Sequence, residues 1–286
     1  MENVIKTIQY GEINQVPLEA SFIQADDNRK NMTIIYIHGG GLVYGHRMDL
    51  PDMYIQQLTA HGYDFFSIDY PLAPETKLGH IIQSVSDAIN WFIDHAQKEF
   101  NLQSTDFILF GRSSGAYLSL LVNKGFLPKQ PKAIISLYGY YSLMNGILKG
   151  PNRHYLKFPK FQYGAIQNLI SDKPIVHGEL EKRYSLYVYY RQTGKWVYSL
   201  LNETDSLSDY SLTEEELKQL PPTFLTASTD DQDVPYQITE KLSKIIPVNE
   251  LFTVHGLEHD YDRNTQLPES TELYERMVQF LEAYVI

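Results

Sequence analysis

A series of short apolar runs, each stopped by turn residues and mostly separated by helix-patterned stretches, leaves this chain few folds to choose from. Met32–His38 runs into Gly39, Gly40 and Gly41; Tyr63–Tyr70 runs into Pro71; Asp106–Gly111 runs into a Ser/Gly turn. Ala133–Tyr138 stops at Gly139, Thr223–Ala227 at an Asp cluster, and Glu250–His255 at Gly256. Runs that are apolar throughout are what a parallel sheet buried on both faces requires. Between them, His80–Phe100 places Ile81, Ile82, Val85, Ala88, Ile89 and Phe92 at helical spacing. Gly115–Lys124, Pro235–Ile246 and Ser270–Ala283 read the same way. The alternation predicts an α/β fold: a mostly parallel, doubly wound sheet flanked by helices. Val4–Tyr10 and Leu18–Gln24 read as a leading antiparallel pair.

The rhythm breaks once. From about Ser142 to Leu220 no strand–helix alternation is visible, and Tyr155, Tyr163, Tyr184, Tyr187, Tyr189 and Tyr190 crowd together with Trp196, Tyr198 and Tyr210. Pro221 and Pro222 then restart the sheet pattern. Residues 142–220 therefore read as an inserted, mainly helical cap, and residues 1–141 with 221–286 as the core into which it is inserted. A chain of 286 residues is long enough for one α/β domain carrying an insertion.

Composition excludes several functions. A net charge of −11 argues against nucleic acid as a partner, because phosphates need an excess of Lys and Arg. With no cysteine, disulfides, thiolate zinc sites and cysteine catalysis are out. No apolar stretch approaches membrane-span length, and Met1–Tyr10 lacks the basic and apolar halves of a signal peptide. The expectation is a soluble, cytoplasmic protein.

The chemistry gathers at strand ends. Gly111-Arg112-Ser113-Ser114-Gly115 matches G-x-S-x-G, with a buried-strand run before it and a helical run after it. That context puts Ser113 on a sharp turn with its hydroxyl exposed as a nucleophile; a plain helix cap is the simpler alternative, and Ser114 is the rival hydroxyl. His38-Gly39-Gly40-Gly41 follows another strand, and successive glycines let backbone approach a substrate closely. The amides of Gly40, Gly41 and Ser114 are the candidates to hold a developing oxyanion. His38 more naturally orders that loop than acts as a base. A serine nucleophile needs a base and an orienting carboxylate, following in the order Ser, acid, His. Of nine histidines only His255 and His259 come after residue 220. His255 ends an apolar run and reads as a packed strand residue, while His259 sits in the polar loop beyond it. Asp230, Asp231 and Asp233 all follow the Thr223–Ala227 run, and capping of the next helix accounts for Asp233. Spacing does not separate Asp230 from Asp231.

Together these residues resemble the α/β-hydrolase superfamily, in particular its hormone-sensitive-lipase-like carboxylesterases. His38–Gly45 is similar to that branch's HGGG segment, and Asp69-Tyr70-Pro71-Leu72-Ala73-Pro74-Glu75 to its DYRLAPE segment. Pro221-Pro222, nine residues before Asp231, is similar to its approach to the catalytic acid, which selects Asp231. The resemblance spans about residues 30–141 and 221–286 and does not reach the cap. Two departures stand out: Arg112-Ser113-Ser114 where the branch has Asp-Ser-Ala, and Pro71 in place of an Arg. The resemblance implies a serine hydrolase acting on carboxylic esters of short acyl chains, through an acyl-enzyme on Ser113 with His259 and Asp231, and with no metal or organic cofactor. The tyrosine-rich cap is expected to line an apolar pocket. Amide or peptide hydrolysis by the same residues is the alternative, and a non-catalytic ligand-binding protein of the same fold is a third reading.

Overall fold

The computed structural model describes residues 5–25 and 28–285. Val4, the first residue of the leading run, lies outside them, as do Met1, Glu2 and Asn3 of the segment read for a leader. Eight strands form one sheet: β1 (Ile5–Ile13), β2 (Val16–Ile23), β3 (Thr33–Ile37), β4 (Asp64–Ile68), β5 (Phe107–Arg112), β6 (Ala133–Leu137), β7 (Thr223–Ser228) and β8 (Asn249–Val254). Their spatial order is β1-β2-β4-β3-β5-β6-β7-β8. β1 and β2 are antiparallel to each other, and β2 is antiparallel to β4. From β4 onward every neighbour is parallel.

The sequence pattern explains this order. β3, β4, β5, β6 and β7 are buried at every position, as strands covered on both faces must be. β8 is only half-buried because it closes the edge of the sheet. Side chains alternate faces along each strand. Ile35 and Ile37 of β3 join one core cluster, whereas Ile34 and Tyr36 join the other.

Helices cover both faces. α1 (Asp52–Ala60) and the long C-terminal α10 (Pro268–Tyr284) pack into the second cluster. α2 (Leu78–Glu99), α3 (Ser114–Leu121) and α9 (Tyr236–Ile245) pack into the first. α1 is absent from the sequence reading, although Tyr54, Ile55 and Leu58, its buried side, carry helical spacing. His255 departs from expectation. It lies one residue past β8 and is exposed, because the strand ends at Val254.

Between β6 and β7 the chain runs through α4 (Gly146–Lys149), α5 (Tyr163–Gln167), α6 (Leu180–Thr193), α7 (Trp196–Leu200) and α8 (Glu214–Leu217). α6 is buried on most sides and is tied to the sheet loops by an arginine. Arg183 donates to both oxygens of Glu75 at 2.8 Å, to the Val43 carbonyl at 2.6 Å and to the Ala73 carbonyl at 2.8 Å. A bidentate, buried guanidinium–carboxylate pair has one good geometry, so it fixes α6 over the loops after β3 and β4. Among the described residues, no helix is long and apolar enough to cross a membrane.

Candidate active site

Because β3, β5, β6, β7 and β8 run parallel, the residues following them share one edge of the sheet. Ligand sites in open α/β sheets form at that edge. Ser113 follows β5 directly and adopts φ 53°, ψ −118°, a strained backbone for a non-glycine residue. Its flanking glycines make the turn possible. A Cβ on Gly111 would run into the backbone of Gly115, and one on Gly115 into the carbonyls of Ile37 and His38. The Ser113 amide donates to the Leu137 carbonyl at 2.9 Å, pinning the turn to β6.

The structure brings Ser113, His259 and Asp231 together from three separate strand ends. Ser113 Oγ lies 2.8 Å from His259 Nε2, and His259 Nδ1 lies 2.6 Å from Asp231 Oδ2. Asp231 Oδ1 accepts from the amides of Asp233 at 2.9 Å and Val234 at 2.8 Å. Both Asp231 oxygens are thereby occupied and the carboxylate cannot rotate. Asp230, its neighbour, is exposed and makes no contact with His259. What spacing left open, the path of the loop after β7 decides.

Burial by itself would push the His259 imidazole down. The charge of Asp231, its hydrogen bond, and the more distant Asp233 and Asp260 carboxylates outweigh that and bring it up to about 9. A raised imidazole pKa adds stability that is fully present below the unfolded value of about 6.5 and is lost as pH climbs through the folded value. NMR titration of the His259 ring should therefore show a midpoint well above 6.5, and Asp231→Asn should bring it down. An unchanged midpoint in that variant would show that Asp231 does not hold the ring's charge.

The glycine loop after β3 faces the same place. Gly40 (φ 98°) and Gly41 (φ 60°) adopt left-handed backbone. Among the described residues, the amides of Gly40, Gly41 and Ser114 have no acceptor. The loop is fixed from behind: the Leu42 amide donates to Ser114 Oγ at 3.2 Å, and Trp196 Nε1 donates to the Gly41 carbonyl at 2.8 Å. The Ser114 hydroxyl is thus buried in loop support. His38 is also buried, stacked on Tyr70 at 4.1 Å, with Nδ1 2.8 Å from the Gly39 carbonyl. Burial pushes its imidazole down to about 4, which keeps it neutral.

Two spaces lie at the site and share Tyr44, Asp233, His259, Asp260 and Arg263 in their walls. A recess of about 20 Å³ touches Gly39, Gly40, Gly41, Ser113 and His259. A larger cavity of about 250 Å³ is lined by Tyr44, Tyr155, Tyr184, Asp233, Glu258 and His259, among others. It is mixed in character, not apolar as expected, because the tyrosines share its wall with carboxylates. Tyr163, Tyr189, Tyr190 and Tyr198 line a separate groove.

Asp233 also differs from expectation. It does not cap α9, whose first turn has no side-chain cap. Its buried carboxylate accepts from the Tyr187 hydroxyl at 3.0 and 2.9 Å and pairs with Arg191 at 3.2 Å. Burial would raise its pKa, but Arg191, His259 and Tyr187 hold it below the usual carboxylate range. Sequence reading also missed a buried cluster of Arg112, Tyr138 and Asp262 beneath the site. The signal for it was Arg112 itself, a cation inside an otherwise apolar strand end. Among the described residues, no group of three or more His, Asp or Glu side chains could hold a metal ion.

Comparison with known proteins agrees with this architecture. The family BD-FAE matches residues 22–145. A Staphylococcus aureus protein of unknown function superposes with a TM-score of 0.86 at 32% identity, covering 98% of this chain and 100% of that one. An α/β-hydrolase superfamily protein from Enterococcus faecalis gives 0.84 at 28% identity, covering 98% and 99%. A protein named probable carboxylesterase M8, from a Phoma species, is 26% identical over 91% of this chain and 90% of its own length. Some relatives are far longer: the chain spans only 8% of a non-reducing polyketide synthase of Preussia isomera. The chain thus has the α/β-hydrolase fold, and it is similar both to an α/β-hydrolase superfamily protein and to a probable carboxylesterase.

Proposed function

We propose that the protein cleaves carboxylic esters of short acyl chains through an acyl-enzyme on Ser113. The observation that carries this is the unbroken hydrogen-bond path from Ser113 Oγ through His259 to Asp231, at 2.8 and 2.6 Å. His259 Nε2 takes the hydroxyl proton as Oγ bonds to the acyl carbon. The amides of Gly40, Gly41 and Ser114 receive the negative charge that moves onto the carbonyl oxygen. His259 then hands its proton to the departing alcohol, and the C–O bond of the ester breaks. Water then bonds to the acyl carbon as the same imidazole takes its proton, and that proton returns to Ser113 Oγ as the acyl–Oγ bond breaks and the carboxylic acid leaves. Asp231 keeps the imidazole in the tautomer that can accept at Nε2.

The size of the recess supports a short acyl group. At about 20 Å³ it has room for little more than a water-sized group, while the larger cavity takes the rest of the ester. The segment 142–220, which supplies Tyr155 and Tyr184 to that cavity, serves as its lid. A fluorophosphonate probe should label the wild type and not Ser113→Ala, and p-nitrophenyl acetate should be turned over only by the former. Equal labelling of both would sink the mechanism. The same assay run on matched acetyl anilides separates ester from amide cleavage.

A further inference from the structure

We infer that Arg112, Asp262 and Tyr138 form a buried clamp that sets the distance between Ser113 and His259. The inference rests on the reaction just proposed and concerns what holds its two partners in register. Ser113 and His259 ride on different loops, 146 positions apart in the chain. The residue immediately before Ser113 is Arg112, and Asp262 stands three residues after His259. Arg112 Nη2 donates to Asp262 Oδ1 at 2.9 Å, so an ion pair joins the two loops directly beneath the reacting atoms. Tyr138, the residue after β6, bridges them. Its hydroxyl accepts from Arg112 Nε at 2.8 Å and donates to Asp262 Oδ1 at 2.6 Å. Its ring meets the His259 imidazole edge-on at 4.8 Å. Tyr274 donates to the other Asp262 oxygen at 3.0 Å, and Tyr54 to the Asp262 carbonyl at 2.9 Å.

Three features mark this as a positioning device and not incidental packing. The side chains of Arg112 and Asp262 are 3% and 0% exposed. A buried ion pair adds little stability over an apolar pair of the same size, so its value lies in the one geometry it permits. Each member uses more than one bond, and a fully satisfied buried network is rigid. Tyr138 also holds φ 42°, an uncommon backbone for a non-glycine residue, with its amide bonded to the Thr226 carbonyl at 2.6 Å. The Arg at this position, where related esterases were expected to carry Asp, thereby acquires a role. The groups facing the cluster from other elements are Tyr36 on β3, bonded to Asp49, and Arg263 with Asp260 on the His259 loop.

Tyr138→Phe is the informative variant, because it deletes the bridging hydroxyl and keeps the ring against His259. With the fold checked by thermal melting, kcat for p-nitrophenyl acetate should fall about 10- to 100-fold, the scale expected of a misplacement near 1 Å, with KM changed less than about twofold. Arg112→Lys, which keeps the charge and one partner, should fall between that variant and the wild type. Arg112 and Tyr138 also border the small recess. A raised KM with unchanged kcat would show that they contact substrate instead, and would overturn the clamp. A second readout needs no turnover. Amide exchange across residues 256–263 should quicken by about tenfold in folded Tyr138→Phe, while that in β1, at the sheet edge opposite β8, stays as it was. Unaltered exchange across 256–263 would overturn the clamp even if the protein proved inert toward esters. Loss of labelling in the wild type would instead defeat the proposed reaction alone.

Discussion

His259→Ala is expected to lower kcat/KM for a short acyl ester by about 10⁴-fold or more, the scale seen when the base of a serine nucleophile is removed. The reason is specific to this site. Ser113 Oγ has a hydrogen-bond partner in His259 Nε2, and the other imidazole nitrogen is committed to Asp231. His38 cannot substitute, being buried against Tyr70 and held neutral with its Nδ1 on the Gly39 carbonyl. His255 cannot either, because it is exposed beyond the end of β8. His255→Ala should therefore retain activity within about twofold, which makes it the matched control. The base works only when neutral. With His259 raised to about 9, kcat/KM should climb with pH on the alkaline side of 6.5. Steady-state rates from pH 5 to 10 test both points. An His259→Ala variant within tenfold of the wild type would mean that another group takes the proton.

Gly115→Ala is expected to be strongly destabilising, costing about 4 kcal/mol or more. The added methyl would overlap the backbone carbonyls of Ile37 and His38. Those atoms end β3, which is paired on both sides by β4 and β5 and has no room to retreat. Overpacking against a flexible side chain can be relieved by a rotamer change, but overpacking against a central strand cannot. The damage would also reach function, since the same carbonyl ends open the Gly40–Gly41 loop. Gly164→Ala is the contrast: nothing lies within 4 Å of its added carbon, and it sits in α5. That change should be neutral or stabilise by up to about 1 kcal/mol. Urea unfolding midpoints of the two variants read the difference directly. A Gly115→Ala protein within about 1 kcal/mol of the wild type would show that the turn after β5 is looser than drawn.

Sequence alone carried what depends on local pattern. Continuous apolar runs mark strands covered on both faces, and the run before Ser113 with the helix after it marks the turn, because burial and backbone strain act over a few residues. Helix α1 escaped notice though its signal was present, and the edge position of β8 shows only in the structure, where the strand is half-buried. Tertiary structure decided everything that depends on distant segments meeting. The loop after β7 turns Asp231 toward His259 and leaves Asp230 in solvent, a choice made by two backbone amides and invisible in spacing. Asp233 is drawn into the interior by Tyr187 and Arg191, both from α6, so its role could not be read from the helix that follows it. The mixed character of the cavity arises the same way, where tyrosines from one segment face carboxylates from another. Arg112 was visible as an oddity, yet its partner Asp262 lies 150 residues on. Periodicity reports the environment of a residue, whereas the identity of its partner is set by the topology that folds the chain back on itself.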